Sequence, residues 1–113
     1  LDPGPIHPMR RGEWAWQITI PDDGQLAWGG VLPTLIEWQG ERHPTVNMDD
    51  SGCRLLRLEL HHPEPQRVQA QLDALAMGSD VDIQACSSDA GAGLRALIQT
   101  PRGVRVIEGL GQF

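Results

Sequence analysis

From Arg54 to Leu60 the chain alternates, with Leu56, Leu58 and Leu60 at one parity and Leu55, Arg57 and Glu59 at the other. A two-residue period of this kind predicts a strand with one apolar face. Pro63-Glu64-Pro65 then opens a helix, because a proline in the first turn lacks only a donor that would be unpaired anyway. Val68, Leu72 and Leu75 recur at i, i+4 and i+7, the stripe of a helix packing on a sheet, and Gly78 is the expected C-cap. Three further strands are predicted at Val81 to Ala85, Leu94 to Gln99 and Val104 to Glu108. The last two are joined by the hairpin signal Thr100-Pro101-Arg102-Gly103. Residues 53–113 therefore read as one complete β-α-β-β-β module, with the leucine face covered by the helix and the opposite face free.

The first half is less regular. Residues 1–12 hold three prolines and two glycines without periodicity and predict a disordered or extended lead-in. Trp14-Ala15-Trp16-Gln17-Ile18-Thr19-Ile20 alternates as a strand should, with Trp14, Trp16, Ile18 and Ile20 on one face. Pro21-Asp22-Asp23-Gly24 marks a turn. A second strand is expected over Val31 to Trp38, edged or bulged at Pro33, which cannot donate to a ladder. The organisation is thus a domain over 13–113, made of a partial first module at 13–38, a polar connector at 39–52 and the complete module at 53–113.

Composition narrows the function classes. The net charge is −6, and the nine basic residues, all arginine, gather into nothing longer than Arg10–Arg11. Nucleic acid, which needs clustered positive charge, is not an expected partner. No apolar run approaches the ~20 residues of a membrane helix, and no signal peptide is visible, so the expected location is the cytoplasm. Cys53 and Cys86 lack metal-site spacing and read as two small buried thiols at strand ends, a disulfide between them being the alternative.

The order of elements, with three stretches of sequence, resembles the glyoxalase-like domain family of the vicinal oxygen chelate (glyoxalase/bleomycin resistance/dioxygenase) superfamily. The stretches are Gly30 to Trp38 followed by His43-Pro44, then Gly52 to Pro65, and Gly93 to Gly103. The resemblance implies an α+β fold, with a two-strand hairpin from a partial module preceding the β-α-β-β-β module. It also implies an upstream module carrying a metal histidine and a Gly-rich segment. The chain accordingly reads as beginning inside the fold, either as a fragment of a longer protein or as a shortened form that completes itself by pairing, for which a homodimer is expected.

Superfamily enzymes hold a divalent cation that polarises two neighbouring substrate oxygens. Carried over by position, Glu108 and Glu37 are the candidate metal ligands. Arg57 stands where the superfamily places histidine, and a guanidinium does not ligate metal. The competing reading pairs both glutamates with Arg57 or Arg95. His61-His62 reads as a polar strand exit and helix lead-in, and His43, before a proline, as a cap. Three functions remain open. In the first, a small organic molecule is held on the free sheet face by Arg57, Glu59, Gln84 and Arg95, with Leu55 beside them. In the second, a metal-dependent lyase, isomerase or dioxygenase is completed by a missing module or second chain. In the third, an accessory unit dimerises through Trp14, Trp16, Trp28 and Trp38.

Overall fold

The computed structural model describes residues 2–25, 27–89 and 91–110. The chain is α+β, and the described residues form one α-helix, a three-stranded antiparallel sheet and a four-stranded mixed sheet. It divides into two compact units: Leu1–Gln25 with Pro33–Asp50, and Leu26–Leu32 with Ser51–Phe113.

In the first unit, β1 (Ile6–Arg11) pairs with β2 (Trp14–Thr19), which pairs with β3 (Ile36–Trp38). The segment expected as a lead-in therefore supplies a paired strand. Its side chains are all exposed, which is why no apolar alternation marks it, and Pro8 is tolerated because β1 is an edge. Pairing of the Trp14 strand with the segment ending at Trp38 is as expected. Register places Met9, Trp16 and Trp38 across from one another, with Ile18 opposite Ile36. Thr19 closes the sheet below them: its hydroxyl accepts from the Leu35 amide at 3.0 Å, and its own amide donates to the Leu35 carbonyl.

The strand expected from Val31 is corrected to Ile36–Trp38 alone. Residues 27–30 form a tight turn in which Trp28, Gly29 and Gly30 all take positive φ, at 57°, 70° and 86°. The turn carries Val31 and Leu32 into the core of the second unit, beside Leu60, Val68, Leu72 and Ala92. The apolar run at 31–32 thus reflects burial in that core rather than a strand.

In the second unit, β4 (Arg54–His62) leads through α1 (Pro65–Ala74) to β5 (Asp82–Ala85), parallel to it. Then β6 (Gly93–Thr100) and β7 (Gly103–Leu110) complete the sheet as an antiparallel hairpin. Val68 and Leu72, one helical turn apart, are the largest fully buried side chains among the described residues. Pro65 is the first helical residue, as expected. The helix ends before the expected Gly78, since Leu75 is the C-cap and Ala76 takes the left-handed position at φ 57°. The Met77 amide reaches the Leu72 carbonyl and the Ala76 amide the Asp73 carbonyl, the paired bonds of a Schellman ending. Alanine in that conformation is strained where glycine is not. Ala76→Gly should therefore raise the unfolding free energy by about 1 kcal/mol, measured by urea titration; a loss of stability would show that the ending is not strained.

Neither cysteine is in a disulfide. Cys53 is exposed rather than buried, because it precedes β4 instead of packing under it, and Cys86 is half-buried.

Candidate functional site

Register on the four-stranded sheet decides which side chains share its open face. Arg57, Glu59 and His61 alternate along β4, with Asp82 and Gln84 beside Glu59 and His61 on β5. On β6, Arg95 lies opposite Glu59, and on β7 Glu108 lies opposite Arg95. Leu55 is a correction. A β-bulge at Leu56 shifts the register, so that Leu55 pairs with Ile98 while Arg57 pairs with Leu97. The extra residue reverses the parity, and Leu55 leaves the face that carries Arg57.

These side chains form one charge network. The Arg57 Nε sits 2.7 Å from Asp82 Oδ2 and 3.4 Å from Glu59 Oε2. Glu59 also has Arg95 Nη1 at 3.9 Å and His61 Nε2 at 3.6 Å, and Arg95 Nε lies 3.2 Å from Glu108 Oε1. Only Glu59 is buried, its side chain 10% exposed, whereas the arginines, Asp82 and Glu108 are roughly half exposed. A carboxylate removed from water needs opposite charge around it, which explains why two guanidiniums converge on this one. The outer pairs, screened by solvent, contribute about 0–1 kcal/mol each. Arg95 Nε is itself buried and makes no hydrogen bond, so its 3.2 Å approach to Glu108 is a Coulombic contact whose N–H is misaligned.

Beside Arg95 the sheet opens into a cavity of about 270 Å³, lined by His61, Cys86, Arg95 and Glu108, with Gly91, Gly93 and Leu94 completing the wall. The Cys86 thiol donates to the Gly91 carbonyl at 2.9 Å, which holds the 86–91 loop end against the cavity. The first unit has a cavity of about 350 Å³ on its polar face, lined by Arg10, Gln17, Glu37 and Gln39 among others. Those four side chains are all exposed. The second-unit cavity is the better candidate, because its charged groups converge around a buried carboxylate.

Of the residues expected to bind, Arg57, Glu59, Gln84 and Arg95 do share one face. Of the two candidate ligands, Glu108 is on that face and paired with Arg95, the structural alternative. Glu37 belongs to the first unit, in register with Gln17. Among the described residues, no three His, Cys, Asp or Glu side chains converge as a metal ion would require. Glu37 and Glu108 thus lack a full donor set within these residues.

The two histidines of the β4 end separate as adjacent strand residues must. His61 joins the open face, while His62 is buried, its Nδ1 accepting from the Glu64 amide at 2.9 Å. His62 thereby guides the chain into α1, and Trp28 packs on its ring at 5.6 Å with Arg67 stacked on the indole at 4.8 Å. His43 caps a 3-10 turn by accepting from the Thr45 amide. Sequence reasoning missed His61 and Asp82 as members of the network. Alternation from Arg57 and Glu59 could have found His61; Asp82 is placed only by the parallel pairing of β5 with β4.

No helix among the described residues is long and apolar enough to cross a membrane. The family model described as a glyoxalase-like domain matches residues 2–76, which is 75 of the 113 residues. The match runs from the start of the first unit to just past α1. No curated protein and no solved structure matches the chain.

Proposed function

The chain belongs to the glyoxalase-like domain family, and from that premise we propose that it binds a small organic molecule on the open face of the four-stranded sheet. The observation that carries this reading is Glu59, a buried carboxylate held among Arg57, Arg95 and His61 at the floor of an otherwise exposed sheet face. Burying a carboxylate is costly, and two arginines fixed by it become preorganised donors. The ligand enters the cavity beside Arg95, with an oxygen on the guanidinium and the rest of the molecule against the wall at Gly91 and Gly93. At about 270 Å³ the space lies just below the usual ligand-pocket range of roughly 300–1,000 Å³ and favours a small metabolite.

The test is a thermal-shift screen of the whole chain against dicarbonyls and small aromatic acids. At least one compound should raise the melting temperature, and Arg95→Ala should abolish that rise while Arg10→Ala leaves it intact. A flat response across the panel would sink the proposal.

A homodimer is part of the same reading. Strand β7 is a sheet edge eight residues long, with Val104, Val106 and Ile107 exposed at 48%, 45% and 61%. An apolar edge of that length is a template for pairing with a second copy. Light scattering should give twice the chain mass, and a monomer at micromolar concentration would refute the dimer.

A further inference from the structure

The three-stranded sheet of the first unit has two unlike faces. One carries Pro8, Arg10, Gln17 and Glu37 by register. The other carries Met9, Trp16 and Trp38 in one row, His7, Ile18 and Ile36 in the next, and Trp14 with Arg11 in a third. The tryptophans pack on one another, Trp16 to Trp38 at 5.0 Å and Trp14 edge-on to Trp38 at 6.2 Å. They remain half-buried, and Met9 and Ile36 are 43% and 46% exposed. A contiguous aromatic and aliphatic face of this kind marks an interaction surface.

The two charges that register and ring contact place on this face are both basic. Register puts Arg11 at its edge, and Arg42 folds over Trp14 with its guanidinium 5.1 Å from the ring. His43 stands edge-on against Trp38 at 5.7 Å. The whole chain carries −6, yet Arg10 and Glu37 fall on the opposite face. Acidic side chains on a partner complement the two guanidiniums of Arg11 and Arg42.

We propose that this tryptophan face docks an amphipathic α-helix with an aliphatic stripe flanked by Asp and Glu. The second unit shows the same solution, with Val68 and Leu72 of α1 covering the apolar face of its sheet at Leu60. Among the described residues the first unit has strands and a 3-10 turn but no α-helix to do this. The dimensions match a helix. Three strands spaced by about 4.8 Å give a face roughly 10 Å across, the width of one helix with its side chains. Six residues of β2 extend about 20 Å, the length of about 13 helical residues.

The probe is a 14-residue synthetic peptide with leucines at i, i+3, i+4 and i+7 and glutamates flanking them, titrated into the full chain. Its partner peptide carries lysine in place of every glutamate. The glutamate peptide should shift the tryptophan emission and gain helicity by circular dichroism, and the lysine peptide should bind about tenfold more weakly. Ile36→Glu should weaken binding by about tenfold or more, and Arg11→Glu should erase the preference between peptides. Both substitutions are at exposed positions, and unchanged circular dichroism of the free variants establishes that they fold. Equal binding of the two peptides, or an affinity untouched by Ile36→Glu, would overturn the proposal. So would a dimer that Ile36→Glu converts to monomer, since the face would then belong to a second copy.

Discussion

Leu72→Ala lowers the unfolding free energy by about 2–5 kcal/mol. Leu72 is 1% exposed and belongs to the small cluster that holds the second unit together, with Val68, Leu60, Val31, Leu32 and Ala92. The truncation forfeits the transfer energy of the removed carbons and leaves a cavity. The site cannot collapse around it, because helix and sheet are both hydrogen-bonded frames. A domain of this size has roughly 5–15 kcal/mol in total, so the loss consumes a large share of it. Urea unfolding followed by far-ultraviolet circular dichroism measures the change, which should appear in the midpoint rather than the slope. Leu56→Ala is the contrast. That leucine is the bulged residue and 54% exposed, so its truncation should cost less than about 1 kcal/mol. Equal costs at the two positions would mean that the helix does not seal this core.

Gly29→Ala is expected to cost roughly 2–4 kcal/mol, from two causes that can be separated. The backbone at Gly29 has φ 70°, where a Cβ crowds the following carbonyl. A Cβ built there would also lie 2.7 Å from the Cβ of Ala92, itself part of the core. A double-mutant cycle with Ala92→Gly distinguishes them. In that background the collision is gone and only the backbone strain remains, so Gly29→Ala should cost less by about 1 kcal/mol or more. An identical cost in both backgrounds would show that the turn is not pressed against Ala92, the residue before β6. The result bears on more than one residue, because the turn at 27–30 is what delivers Val31 and Leu32 to the core.

Elements with a strong local signature were legible from residues alone. Alternation found β2 and β4, the i, i+4 stripe found α1, and the Thr100–Gly103 turn found the β6–β7 hairpin. Local signals failed where a residue's partner is distant in sequence. Nothing near Ile6–Arg11 marks a strand, because its stabilising bonds go to β2 and its side chains bury nothing. Val31 and Leu32 have the composition of a strand but lie in an irregular segment held by a core from the other half of the chain. Ala76 rather than Gly78 ends the helix, since satisfying the last carbonyls outweighed the residue preference.

The open face shows the same division. The β-α-β-β-β order, and with it the existence of a sheet face that the helix leaves bare, is written in the periodicities of residues 54–108. The hydrophobic effect acts on each short segment by itself, and those periods are its local record. Which charges meet on that face was decided by tertiary register. The bulge at Leu56 turns Leu55 away, the parallel pairing of β5 brings Asp82 to Arg57, and the β6–β7 hairpin sets Glu108 against Arg95. Side-chain period fixes parity only until one extra residue reverses it, and Coulomb attraction depends on ångström distances between strands far apart in sequence.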